Sequence, residues 1–362
     1  MTSPAARQEA ARISKIFQDA GATPVETELL LPADILLDLY GEDIRARAYV
    51  TQDPVRGELM MRPDFTVPVV QMHMNSGAEP ARYTYQGRVF RMQDAGTGRA
   101  SEYLQVGLEL FDENTPSIAD AEIFSIIFQS LEPYELRAAT GDIGILRAAV
   151  SGLSTSEPRR KALQRHIWRP RRFRALLDRF AGQAAAPSGR EDILAALNNT
   201  HPSTLVATHR EQPGLRSIED VCDRLEILQK DALTDDIPAS EYAAIGALLN
   251  MSASLPDALV ALREIAHDLP SIGPAVDGFE ARLIALKDRN IAIDNLFFEG
   301  SYGRTSLEYY DGFVFGFYPM DGGAPVATGG RYDALTRVLG QGRAIPAVGG
   351  VIRPEATAEL RK

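Results

Sequence analysis

Two short runs carry residues able to grip a small amino-bearing molecule. In Arg62-Pro63-Asp64-Phe65-Thr66, an acid and a hydroxyl are separated by one residue. On extended backbone both accept hydrogen bonds from an ammonium group. The same residues also suit a strand end, a proline stop and a helix N-cap. In Glu102-Tyr103-Leu104-Gln105-Val106-Gly107-Leu108-Glu109, the positions Gln105, Gly107 and Glu109 alternate, so a strand would point them to one sheet face. A carboxylate there can accept from an imidazole N–H and fix its tautomer. Tyr309 and Tyr310 read alone as an ordinary half-buried strand.

The elements that must position these groups follow from periodicity. Residues 5–20 place Ala10, Ile13, Ile16 and Phe17 at helical spacing, and Gly21 stops the helix. Strands are expected at 47–51, 58–62, 82–85, 88–91 and 103–111, with a polar, glycine-containing loop at 92–101 shaped to close over something. A helix at 120–131 follows. From 151 to 269 helical patterns punctuated by prolines dominate, which reads as a helical insertion. A helix at 280–288 leads back to strands at 291–297, 308–310, 313–318, 327–330 and 347–352, with a helix at 332–339 among them. The expectation is an α+β domain formed by 1–150 and 270–362, interrupted by an insertion at 151–269. The order does not alternate as β-α units, and Gly349-Gly350 has no helix-and-strand unit behind it, which excludes a dinucleotide fold.

Composition narrows the functional classes. The chain has 362 residues, 45% hydrophobic and 24% charged, with net charge -11. An acidic chain repels phosphate backbones unless it has a local basic surface. One basic stretch exists, 159–179, with eight arginines and one lysine. It suits a solvated helix face, a subunit contact or an anion site. The single cysteine, Cys222, has no disulfide partner and reads as a small buried side chain. Apolar runs fall short of the roughly 20 residues needed to cross a bilayer, and no secretory leader is visible. A cytoplasmic protein without membrane association is expected.

The segment Arg82-Tyr83-Thr84-Tyr85-Gln86-Gly87-Arg88-Val89-Phe90-Arg91, its loop and the run ending at Glu109 resemble the second signature motif of class II aminoacyl-tRNA synthetases in its histidyl form. By that resemblance Arg91 is the motif arginine, Arg99 a loop arginine and Tyr103 the aromatic that stacks on adenine. Gln105 and Glu109 are the contacts to bound histidine. Leu307-Glu308-Tyr309-Tyr310 resembles the tyrosine pair of the histidine pocket, Tyr310 facing the imidazole. Gly329-Gly330-Arg331-Tyr332-Asp333-Ala334-Leu335 resembles the glycine-rich turn that closes it. Asp64 and Thr66 then correspond to the acid and threonine that hold the α-ammonium, Asp64 being shorter than the usual glutamate. The resemblance spans 1–140 and 285–356 and implies an antiparallel sheet of about six or seven strands flanked by helices.

Departures from the family pattern fall on the catalytic cations. The arginine expected two residues before Leu307 is replaced by Thr305, with Arg304 one residue off, and a one-residue slip in extended backbone reverses a side chain's face. Gln93 replaces a metal- and nucleotide-binding carboxylate, Ser101 a basic loop residue, and Ala356 the terminal arginine, with Arg353 nearby. Each lost preorganised donor commonly costs about 3–4 kcal/mol in such chemistry. The sequence runs six residues past Ala356, where synthetases continue into an anticodon-binding domain of about 100 residues. Glu28 stands where a synthetase has its interface proline.

A synthetase-like core that keeps a histidine pocket and lacks a tRNA domain is similar to the regulatory subunits of ATP phosphoribosyltransferase. That resemblance implies a non-catalytic chain with no cofactor, no metal and no tRNA. It further implies dimerisation and a hetero-oligomer with a short-form ATP phosphoribosyltransferase catalytic subunit, serving the first step of histidine biosynthesis. L-histidine would act as the allosteric feedback inhibitor, held by Asp64, Thr66, Arg91, Gln105, Glu109, Tyr309 and Tyr310. Arg99, Tyr103, Arg304 and Tyr332 are expected as pocket residues or remnants of a nucleotide site. Two alternatives stand beside this: a truncated histidine-activating enzyme, and a module that meets RNA or a translation factor through 159–179.

Overall fold

The computed structural model describes residues 3–33, 46–93, 100–208, 217–305 and 308–360. Its strands are β1 (Thr23–Pro24), β2 (Leu30–Pro32), β3 (Val50–Asp53), β4 (Gly57–Met61), β5 (Ala81–Phe90), β6 (Glu102–Phe111), β7 (Leu136–Asp142), β8 (Ser252–Ser254), β9 (Phe297–Glu299), β10 (Phe313–Pro319), β11 (Ala327–Arg331) and β12 (Ala347–Ile352). They form a nine-stranded sheet in the order β1-β5-β6-β12-β11-β10-β7-β9-β8 and a small sheet β2-β4-β3. From β5 to β7 every neighbouring pair is antiparallel. At the flanks β1 lies parallel to β5 and β9 parallel to β7, so the sheet is mixed rather than antiparallel throughout. Parallel neighbours need a crossover, which the long helical segment between β7 and β9 supplies.

Several expectations shift. The two strands foreseen at 82–85 and 88–91 are one, β5, paired with β6 along its full length from Ala81↔Phe111 to Phe90↔Glu102. No strand forms at 308–310. Tyr309 and Tyr310 are both buried, with rings meeting edge-on at 4.9 Å, whereas adjacent strand residues would face opposite sides. Strands β7 and β8 were not foreseen: neither Leu136-Arg137-Ala138-Ala139-Thr140-Gly141-Asp142 nor Ser252-Ala253-Ser254 has β-branched alternation. Because β8 pairs with β9, the chain rejoins the sheet at Ser252, earlier than the expected boundary at 269. Cys222 is half-buried, on a helix (Ile218–Ala232) with no fully buried side chain, rather than in a core.

Helix α1 (Pro4–Asp19) begins where the Ser3 hydroxyl accepts from the Ala6 N–H, and buries Ala6, Ala10, Ile13 and Phe17 along one stripe. Helix α2 (Thr66–Ser76) carries the expected Thr66, and α3 (Pro116–Ser130) covers the sheet. Phe313, Phe315 and Phe317 alternate along β10, and all three rings meet Phe124 of α3 at 5.3–6.2 Å. Helix α4 (Gly273–Asp288) packs Phe279 on Phe298 of β9.

A buried ion network ties these layers. Asp120 of α3 accepts from Arg331 at 2.7 Å and from Arg282 of α4 at 3.1 Å, while Arg282 also holds Asp142 at 2.8 Å. Removing Asp120 takes three hydrogen bonds from two buried guanidinium groups, leaving Arg331 with Asp333 and the Pro116 carbonyl and Arg282 with Asp142. Asp120→Ala is therefore expected to cost about 3–5 kcal/mol, read as a lowered urea midpoint. A loss below about 1 kcal/mol would mean that these charges are effectively solvated.

Candidate functional site

The site grows from two glycines. Tyr85 stands opposite Gly107, and Glu109 opposite Gly349, in the β5-β6-β12 register. A Cβ on Gly107 would lie 2.2 Å from the Tyr85 ring, and one on Gly349 only 1.5 Å from Glu109 Oε2. Their bare backbones leave room for Tyr85 to lie along the sheet and for Glu109 to stand beneath it. The Glu109 carboxylate, fully buried, accepts from Tyr85 (2.8 Å) and Thr66 (2.9 Å) at one oxygen and from Tyr332 (2.6 Å) at the other.

In front of this cluster opens a cavity of about 520 Å³, a size usual for small-molecule sites. Asp64, Thr66, Arg91, Gln105, Tyr309 and Tyr310 line it, so the structure brings together six of the seven expected histidine contacts. The simple capping alternative for the 62–66 run does not hold: the cap residue of α2 is Phe65, with no side-chain cap bond. Thr66 gives its hydroxyl proton to Glu109, so toward the cavity it offers only lone pairs. Gln105 is 1% exposed, and its Oε1 has no hydrogen-bond partner among the described residues. Asp64, 2% exposed, receives long contacts from Tyr309 OH (3.4 Å) and Arg91 (3.5 Å), while Arg91 Nε is anchored on the Pro63 carbonyl at 2.7 Å. Carboxylate, hydroxyl and amide oxygens thus converge as acceptors, with a guanidinium beside them.

Glu109 is the seventh expected contact. It does not line the cavity, because Thr66, Tyr85 and Tyr332 occupy its oxygens. Burial raises its carboxyl from 4.5 to about 7, with the three hydroxyl bonds pulling the other way and Asp64 adding a smaller upward push. Burial, reinforced by the Glu109 charge, keeps Tyr85, Tyr310 and Tyr332 well above the usual phenol range. These hydroxyls remain donors.

The expected nucleotide remnants scatter. Tyr332 is buried at Glu109 and away from the cavity wall. Arg304 turns its back on the cavity: its Nε donates to the Ile167 carbonyl at 2.8 Å and its guanidinium lies 4.7 Å over Phe173, while Thr305 takes the place in the wall. Tyr103 is not in the wall; the Arg353 guanidinium lies 5.6 Å over its ring. Arg353, expected near the last clamp position, does line the cavity, whereas Ala356 packs against the core. Arg99 lies outside the described residues. Sequence reasoning missed Arg137, Glu299, Tyr302 and Tyr318, which form the far wall, with Arg137 bonded to Glu299 at 2.8 Å and the two phenols to each other at 3.0 Å. No local pattern marks them, since they come from three separate elements and the loop after β9.

Part of the basic stretch is internal. Arg159, 7% exposed, is held by Asp231 and by the carbonyls of Asp231, Thr234 and Asp235. Among the described residues no group of His, Cys, Asp and Glu is arranged to hold a metal ion, and no helix is long and apolar enough to cross a membrane.

Sheet, hairpin and cavity together define a histidyl-type class II synthetase core: the family model for histidyl-tRNA synthetase matches residues 2–234 and 228–356. Solved structures share the fold. A protein described as ATP phosphoribosyltransferase regulatory subunit/histidyl-tRNA synthetase from Bacillus halodurans superposes with TM-score 0.69 at 20% identity, covering 99% of this chain and 79% of that one. Histidyl-tRNA synthetase from Nostoc gives 0.63 at 16% identity, over 98% and 71%. Whole-length sequence relatives narrow the class. The ATP phosphoribosyltransferase regulatory subunit of Mesorhizobium japonicum is 33% identical over 98% of this chain and 97% of its own, and that of Allorhizobium ampelinum 31% over 92% of each. The chain belongs to the family of ATP phosphoribosyltransferase regulatory subunits.

The raised Glu109 carboxyl sets a pH dependence. Its contribution is complete below about 4.5, where folded and unfolded chains are both protonated, and is lost as pH climbs through about 7, because the unfolded chain ionises first. Stability of the native chain relative to Glu109→Gln should fall by ~3 kcal/mol across that window. Urea midpoints of the two proteins at both ends measure it; parallel curves would remove Glu109 as the titrating group.

Proposed function

We propose that the cavity binds free L-histidine as an allosteric ligand and that the chain itself performs no chemistry. It acts on a separate, short-form ATP phosphoribosyltransferase catalytic subunit, which carries the glycosyl transfer of the first step of histidine biosynthesis. Histidine in the cavity then inhibits that partner. The observation that carries this reading is the Gln105 Oε1, a buried acceptor without a partner among the described residues, set beside the Asp64 carboxylate and the lone pairs of Thr66. An unsatisfied buried acceptor is costly, and an α-ammonium supplies the missing donor. Arg91 stands ready for the ligand's carboxylate, and Tyr310 OH for the imidazole. Glu109 acts one step back, by orienting the Thr66 hydroxyl.

The orientation of Arg304 supports the absence of adenylation. A guanidinium spent on a carbonyl and an aromatic ring on the far side of the wall is not aimed at a reacting phosphate. Arg353, present in the wall, is the observation that favours the rival reading of a histidine-activating enzyme. Histidine-dependent exchange of pyrophosphate into ATP discriminates the two, and background-level exchange is expected. The internal bonds of Arg159 weigh against a nucleic-acid surface along 159–179. A dimer, a cytoplasmic setting and the lack of a tRNA substrate complete the proposal.

Calorimetric titration with histidine tests the ligand assignment. Gln105→Ala and Asp64→Asn should each weaken binding by about tenfold or more, as for a lost hydrogen bond to a charged group. Co-purification with the catalytic subunit should be unchanged. Wild-type affinity in both variants would place the ligand elsewhere.

A further inference from the structure

Arg304 sits between two residues of the cavity wall, Gly303 and Thr305, yet points to the opposite side. The carbonyl it holds, Ile167, lies in the turn between helices Glu157–Arg165 and Pro170–Phe180, and the ring beneath it, Phe173, is in the first turns of the second. One charged side chain therefore joins the wall of the cavity to this helical pair. The joint is buried and incompletely satisfied. Arg304 is 4% exposed, and its Nη2 has no hydrogen-bond partner among the described residues. On the other side, Trp168, next to Ile167, also has a buried Nε1 without one. Burial lowers the guanidinium to about 10. A buried charge with one donor unmet gains less from its present arrangement than a fully paired one, so a small push suffices to change it.

We propose that Arg304 is the residue through which occupancy of the cavity resets the pose of the helical pair 157–180. The argument rests on the cavity being a histidine site. A ligand that presses on Gly303 or Thr305 shifts the backbone between them, and the guanidinium on the far side moves with it. The helical pair carries the exposed Arg165, Arg171 and Arg172, so a change of pose displaces a cationic surface. Differential contact on one side of a two-position joint is what allosteric coupling requires. Arg304 does not touch the ligand and is a positioning residue.

Hydrogen exchange of the full chain with and without histidine tests this, alongside calorimetry on the same samples. In the wild type, histidine should change protection across 157–180. Arg304→Met keeps the length and removes both charge and unmet donor. It should bind histidine within about twofold of wild type, as expected for a site without ligand contact, while the change across 157–180 disappears. In the complex with the catalytic subunit, histidine inhibition should weaken by about fivefold or more. Phe173→Leu attacks the joint from the other side and serves if the methionine variant does not fold. A merely structural Arg304 would lower stability and leave the histidine-dependent change in place, which overturns the proposal. Histidine binding in the wild type with no response at 157–180 overturns it too, and leaves the ligand assignment standing. No histidine binding at all would sink both.

Discussion

A carboxylate fully withdrawn from water must find its hydrogen bonds inside the protein, and Glu109 finds three, all from neutral hydroxyls. The demand propagates outward. Tyr85 reaches Glu109 only because Gly107 has no side chain, and Glu109 fits only because Gly349 has none. Thr66 comes from the start of α2, Tyr332 from just past the end of β11, so one carboxylate pins hairpin, helix and terminal strand pair to each other. Once Thr66 has donated inward it can only accept outward, and that is what gives the cavity its acceptor character.

The front of the site and its back therefore have different tasks. The back is closed and satisfied. Among the described residues, the front leaves Gln105 Oε1 unpaired in a cavity that also presents Asp64 and Arg91, an arrangement suited to a zwitterion rather than to a hydrocarbon. Thr305 faces the cavity, and the guanidinium of the neighbouring Arg304 is spent on the Ile167 carbonyl and the Phe173 ring behind the wall.

Much of this was legible in the chain. The alternation of Gln105, Gly107 and Glu109 placed them on one face, and the motif from Arg82 to Glu109 located the hairpin. Other parts were not. Tyr309 and Tyr310 read as strand because their type favours strands, but both rings turn into the interior, which only a turn allows. Strands β7 and β8 carry small and polar residues, and their β conformation comes from neighbours already in the sheet. Arg353 stands three residues before Ala356 when counted along the chain, yet it lines the cavity, which only the fold shows.

The amino-acid sequence by itself determined the family, the α+β class, the hairpin and six of the side chains that line the cavity, because periodicity and residue type are local properties. Tertiary structure decided which of the expected contacts face the cavity. Glu109 and Gln105 share a strand face, and nothing local distinguishes them. The hydroxyls that seal Glu109 away come from residues 24, 43 and 223 positions distant, and only packing brings them within 3 Å of it.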